Sequence, residues 1–182
     1  GNMWMPDEAG ELVRMDNPDG PSALTYAWIG PFVGALIRPV GGWIADRIGG
    51  ALVTQIISGV MVAASIAVGY VMSLAYGTST PQDYFWPFLL LFVVIFAASG
   101  MGNGSTFRTI SVLFDQQMKG PVLGFTSAIA AYGSFVAPRL MGEQIQAGTP
   151  ELAMYGFAVF YAVGMLINQW FYLRGNAYAK NP

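Results

Sequence analysis

Long apolar runs separated by short polar clusters set the pattern of this chain. The runs lie near residues 24–45, 51–75, 85–114, 122–142 and 152–173. Each can cross a hydrocarbon core about 30 Å thick, which takes roughly 20 residues of helix. The pattern therefore predicts five membrane spans. No segment of about ten residues alternates apolar and polar positions as a barrel strand does, and backbone groups at membrane depth must be satisfied within their own element. An all-α polytopic membrane protein is expected. The connections "ADRIGG", "YGTSTPQD", "DQQMKGP" and "GTP" carry the glycine, proline and aspartate of turns.

Residues 1–22 break the pattern, with five acids, one arginine and three prolines. They lack the basic start and apolar middle of a signal peptide and read as a polar loop. The expected organisation is an acidic external loop segment (1–22), a helical bundle (23–174) and a cytoplasmic tail (175–182). The opening at Gly1 and Asn2, without an initiator, suggests a fragment of a longer protein.

Composition agrees with the span count. Hydrophobic residues make up 54% of the 182 positions and charged ones only 10%, against about a quarter charged in soluble domains. Cysteine and histidine are absent, which removes disulfides, thiol chemistry and the commonest metal ligand. No cofactor, metal or nucleic-acid partner is expected; the surroundings are lipid. An enzyme would need a nucleophile, metal cluster or acid pair inside the bundle. A channel would show a polar lining along several helices.

Lys and Arg set the orientation. With residues 1–22 outside, Arg47, Lys119, Arg174 and Lys180 fall on one side, and Arg14 and Arg139 on the other. The first side is the expected cytoplasm, so the C-terminus lies inside.

Arg38, in "GALIRPVGG", interrupts the first span. It precedes Asp46 by eight residues, which at 1.5 Å per residue places it about 12 Å from the cytoplasmic helix end. A cation at that depth costs at least about 2.5 kcal/mol unless it faces protein or water. On a helical wheel its neighbours are Ala27, Pro31, Gly34, Ala35, Gly41, Gly42 and Ala45, whereas the opposite arc is bulky. Arg38 is therefore expected to point into the bundle, beside a bend at Pro39. Two accounts compete: a structural pair with a carboxylate or carbonyls, or a receptor for a mobile anion, whose oxygens suit the planar guanidinium. No carboxylate of this chain is expected at that depth.

The end of the same span, "GGWIADRIGG", resembles the loop signature of the major facilitator superfamily, through Gly42, Asp46, Arg47 and Gly49. Ala51 stands where the family has a second basic residue. Asp46 and Arg47 could link helix ends at a gate; a plain helix-stop turn is the alternative. Together with "GNGSTFRTISVLF" and "GFTSAIAAYGSFVAP", the stretch resembles the nitrate/nitrite porter (NarK-type) family. That resemblance covers nearly all of residues 23–174. It implies helices eight to twelve of a twelve-helix fold, with Arg38 as the second-half nitrate arginine. It also implies a nitrate signature at Gly124, Ser127, Ala128 and Gly133. Nitrate and nitrite become the expected partners, along with a missing first half carrying the other arginine. The expected membrane is the bacterial inner one, and alternating access the expected mechanism. Exchange is favoured over proton symport because no titratable group is expected at midplane; another small anion remains an alternative.

The residues themselves support parts of this picture. Gly124, Ser127, Ala128, Ala131, Ser134 and Pro138 form one small-residue face by spacing, suited to close packing or to a sliding contact. Arg108, about 9 Å deep, could snorkel or meet Asp115, in a structural or gating role; Asn103 and Ser105 could line the path. Arg139 and Glu143 are spaced for an ion pair, and Trp86, Tyr84, Trp170 and Tyr172 for interfacial belts.

Overall fold

The computed structural model describes residues 2–177 and 179–182. Strands β1 (Asn2–Pro6) and β2 (Leu12–Asp16) pair antiparallel, with Trp4 opposite Arg14. Helices α1 (Ala23–Tyr26), α2 (Ile29–Ile48) and α3 (Gly50–Ala75) follow, then a 3₁₀ turn at Pro81–Tyr84 that runs into α4 (Phe85–Leu113). Next come α5 (Gln116–Ala131), α6 (Gly133–Gln146) and α7 (Pro150–Asn168), the last extended by a π-turn at Gln169–Leu173. The result is the helical polytopic bundle the apolar runs predict.

Local chemistry explains most boundaries. Gly49, at φ +93°, ends α2 and begins α3 in a single residue, a backbone conformation open to glycine without a Cβ clash. Asp115 caps α5, its carboxylate accepting the Met118 amide at 3.0 Å, as a helix start requires. Pro150 occupies the first turn of α7, where its missing N–H has no intrahelical partner to lose.

Among the described residues, four helical stretches are long and apolar enough to cross a membrane: Gly50–Ala75, Pro81–Leu113, Gln116–Gln146 and Pro150–Leu173. Helix α2 falls short by composition, because Arg38, Asp46, Arg47 and its glycines and prolines dilute the apolar run. Its 20 residues nonetheless span about 30 Å. It lies along α4 from the Gly30–Phe96 contact down to the Asp46–Arg108 ion pair. It therefore shares the depth of its neighbour and makes a fifth pass.

Three details depart from the apolar runs. Residues 2–16, read as loop, carry the hairpin, whose turn is built by Asp7: its carboxylate accepts from Ala9 and Glu11 amides, both at 2.9 Å. The first run is interrupted at residues 27–28, between α1 and α2. The run at 122–142 breaks at Tyr132 into α5 and α6. A glycine–serine pair, Gly133 and Ser134, followed by Pro138, weakens the helix there. By contrast α2 stays one helix through Pro39.

Packing runs α2 to α4 to α3 to α7, and α5 and α6 make their main contacts with their chain neighbours α4 and α7. The core is made of small side chains, among them Ala45, Ala51, Ala64, Ala98, Ala153 and Ala158, with Val68 fully enclosed. Asn168 clamps α7 to α3, donating to the Ala51 carbonyl at 2.9 Å and to Gln55 Oε1 at 2.8 Å. At one end Asn17 donates to Gln82 at 2.8 Å and the Tyr76 hydroxyl to the Ile145 carbonyl at 3.4 Å. These bonds gather the hairpin segment and the α3–α4 and α6–α7 connections on one side, as five alternating passes demand.

The tightest packing lies between α2 and α4. A Cβ added at Gly100 would collide with the Gly34 carbonyl, one at Gly41 with Met101, and one at Gly104 with the Arg38 carbonyl. Such glycines let two backbones touch. Gly100→Val is expected to destabilise the full-length protein by overpacking, by about 1–3 kcal/mol or more. Gly164→Ala, where a Cβ meets nothing within 4 Å, is expected to be neutral or stabilising by about 0.5–1 kcal/mol. Thermal unfolding in detergent micelles reads both.

Candidate functional site

The α2–α4 seam decides how Arg38 is presented. Gly30, Gly34, Gly41 and Ala45 are the buried residues of α2. The small-residue arc around Arg38 is thus spent largely on α4, whose Phe96, Gly100, Met101 and Gly104 fill it. Arg38 was expected to point into the bundle; within this chain the small residues beside it on the wheel meet α4 instead of enclosing its guanidinium. The Arg38 carbonyl lies against Gly104, while its side chain leaves at the edge of the seam and is exposed. Among the described residues no carboxylate lies within ion-pair distance of it. The Ala35 carbonyl, one turn back, loses its helical donor to Pro39.

Below Arg38 on the seam, Asp46 accepts from Arg108 Nε at 3.1 Å. Arg108 was expected to snorkel or to meet Asp115; it reaches across to α2 instead, while Asp115 is engaged as the α5 cap. The geometry follows from the seam, which brings the parallel helices close enough for one side chain to bridge them. Asp46 is largely exposed and Arg108 mostly covered, so the pair stitches the end of the seam at its surface. Arg47 takes another course, its guanidinium lying 3.6 Å over the Trp43 ring on its own helix. Gly42 lies beside the Gly104 carbonyl, 3.8 Å from where its Cβ would be. Gly49 makes the turn.

The signature residues lie elsewhere. Gly124, Ser127 and Ala128 are exposed on α5, and a Cβ at Gly124 or Gly133 would meet nothing within 4 Å. Helices α5 and α6 bury no residue. The structure thus joins Arg38, Gly42, Asp46 and Arg108 along one seam and leaves Gly124, Ser127 and Ala128 on a separate, uncovered helix. Arg139 and Glu143 form the expected i,i+4 pair at 2.8 Å.

Sequence reasoning missed the far wall of the seam. Gly100 and Gly104 are spaced as a small-xxx-small pair in "GMGNG", a signal that was present and predicts close helix approach. Ser105, considered as path lining, is fully buried; it shares a 2.9 Å hydrogen bond with Thr54 and donates to the Gly102 carbonyl. Asn103 keeps its Oδ1 buried and without a partner among the described residues. A cavity of about 280 Å³ opens between α3, α4, α5 and α7, lined by Thr54, Thr106, Thr109, Thr126, Asn168 and Tyr172. Arg38 takes no part in it.

Glycine-sealed helices of membrane length, an ion pair at the surface of one end and an arginine midway along a membrane-length helix define a polytopic helical membrane protein. The comparisons with known proteins agree with that class. No family model matches the chain. It is 39% identical over 158 residues to "Probable nitrate/nitrite antiporter NarK2" of Thermus thermophilus, covering 86% of this chain and 34% of the relative. It is 34% identical over 185 aligned positions to the nitrate/nitrite transporter NarU of Escherichia coli (strain K12), covering 90% and 39%. Similarity to the nitrite extrusion protein of Bacillus subtilis is lower, 26% over 131 residues. The chain belongs to the NarK-type nitrate/nitrite porter family of the major facilitator superfamily and corresponds to a C-terminal portion of it. It spans between 34% and 39% of the length of these first two relatives.

The bridge between α2 and α4 is testable by charge reversal. Asp46→Arg or Arg108→Asp alone is expected to destabilise the full-length protein, and the double exchange to recover part of the loss. The coupling is expected at about 0.2–1 kcal/mol, the range of exposed pairs. A double-mutant cycle on thermal unfolding measures it.

Proposed function

We propose that the full-length protein carries nitrate and nitrite across the bacterial cytoplasmic membrane by alternating access, exchanging one for the other, with the C-terminus in the cytoplasm. The observation that carries this reading is Arg38: an exposed guanidinium in a membrane-length helix, with no carboxylate in reach among the described residues. Such a charge in a bilayer requires water, protein or a counter-ion. A planar oxyanion meets the need, since two parallel N–H groups of guanidinium match two oxygens. The functions named for the relatives, nitrate/nitrite antiport, nitrate/nitrite transport and nitrite extrusion, point to the same substrates.

The seam serves this role by rigidity. With Gly104 against its backbone, Arg38 cannot follow the anion, so the anion comes to it. A second cationic group from the remainder of the protein completes the site. The uncovered face of α5, with the Ser127 hydroxyl, the Gly124 backbone and the small Ala128, forms another wall. Around the gate, the Asp46–Arg108 pair keeps the ends of α2 and α4 together, with Gly42 and Gly49 permitting contact and turn, and Arg47 supporting the helix end. The protein acts as a carrier and not as an enzyme: the anion passes unchanged.

Exchange follows from charge. An empty site with unpaired arginines is poorly disposed to cross the membrane midplane, whereas a filled one is partly neutralised. The carboxylates of this bundle, Asp46, Asp83, Asp115, Glu143 and Glu151, are placed toward helix ends and connections, so none is assigned a proton-carrying role.

Full-length protein in liposomes is expected to take up labelled nitrate only when nitrite or nitrate is inside. Arg38→Lys is expected to lower that uptake about tenfold or more, since one charge-assisted hydrogen bond contributes roughly 1.5–3 kcal/mol. Uptake into an anion-free lumen driven by a pH gradient would contradict exchange. Unchanged uptake by Arg38→Lys would remove Arg38 from the site.

A further inference from the structure

The α2–α3 turn lacks a cap of its own. Gly49 is at once the C-cap of α2 and the N-cap of α3, and it has no side chain to accept from the first amides of α3. Helix starts leave such amides without intrahelical partners, and helix ends leave carbonyls likewise. Here both needs are met by residues far along the chain. The Asn181 side-chain oxygen accepts the Leu52 amide at 2.9 Å, and its Nδ2 donates to the Ile48 carbonyl, the last of α2, at 2.7 Å. The Gly50 amide donates to the Pro182 carbonyl at 2.6 Å. The Asn181 amide in turn donates to the Tyr172 carbonyl at 2.9 Å, at the end of the π-turn that extends α7.

Three further features match this arrangement. A Cβ at Gly49 would collide with the Asn181 side chain, so the turn glycine makes the seat as well as the bend. Asn181 has φ 45°, a left-handed conformation that asparagine tolerates better than most residues. Its amide is also the chemistry the turn requires, one acceptor for Leu52 and one donor for Ile48. Aspartate offers only acceptors at neutral pH, and alanine neither.

We propose that Asn181 is a positioning residue, a cap supplied from the tail that fixes the α2–α3 turn to the end of α7. It thereby holds the last turn of α2, which carries Asp46, in register for Arg108. The clip is a permanent part of the bundle. It restrains α2, α3 and α7 at the end that carries the Asp46–Arg108 pair. The inference rests on the hydrogen bonding of the turn and stands apart from the substrate reading.

Hydrogen exchange on the full-length protein in nanodiscs tests it. Asn181→Ala is expected to speed exchange at the Leu52 amide about fivefold, as loss of a helix cap would, with amides in the middle of α3 unchanged. Asn181→Asp, which keeps the acceptor, is expected to retain most of the Leu52 protection. Equal protection of Leu52 in wild type and Asn181→Ala would overturn the proposal, as would equal loss in the alanine and aspartate variants. A cysteine pair at Ile48 and Asn181, oxidised to a disulfide, adds a functional arm. A permanent clip leaves nitrate uptake within about twofold of the reduced form, whereas arrest reversed by reduction would mean that the tail must leave the turn. Absence of nitrate uptake by wild type would count against the substrate reading alone, because the exchange arm does not depend on it.

Discussion

Backbone-to-backbone contact between α2 and α4 is the constraint on which the rest depends. In lipid, apolar side chains gain little by leaving one hydrocarbon surrounding for another, so helices associate through close packing and hydrogen bonds. Gly34 and Gly41 on one helix and Gly100 and Gly104 on the other remove the side chains that would hold the axes apart. The core beyond the seam repeats the solution with alanines at α3, α4 and α7, and with Gly69 against the Tyr155 ring. Large apolar side chains are turned outward, as at Leu36, Trp43, Leu90 and Phe160. For a membrane bundle that is the stable arrangement.

The seam also sorts the charges. Arg108 and Asp46 are brought together across it and answer one another. Arg38, one turn below Gly34, has its backbone locked at Gly104 and its side chain at the open edge. Two arginines of one bundle therefore take opposite roles for a geometric reason. Arg108 faces the partner helix and finds a carboxylate, whereas Arg38 faces out of the contact and does not. A fixed backbone under a free guanidinium suits an anion receptor, because little reorganisation accompanies binding.

Much of this was legible in the residues. The apolar runs locate α3, α4 and α7 closely, because length and composition alone identify a membrane helix. Arg38 stands out by cost, and Arg139 with Glu143 by spacing. Other features needed the third dimension. The helical wheel marked a small-residue arc around Arg38 but could not say whether water, an anion or another helix fills it; the partner was α4, and its Gly100–Gly104 pair was the readable clue. For Arg108 the sequence offered Asp115 or a snorkelling course, and only the approach of α2 to α4 brings Asp46 within its reach. The break at Tyr132 was hidden because glycine, serine and proline all occur within continuous membrane helices. The Asn181 clip joins positions 129 residues apart, and nothing local to either foretells it.

The proposed role of Arg38 requires that this side chain face an aqueous anion site rather than lipid or a closed seam. Ala35, exposed about one turn away on α2, permits a direct measurement that keeps the arginine intact. Full-length protein free of other reactive cysteines and carrying Ala35→Cys is treated with a water-soluble thiol reagent, with nitrate or chloride present. The account predicts steady modification that nitrate slows and chloride does not. An unreactive cysteine, or modification indifferent to nitrate, would contradict it.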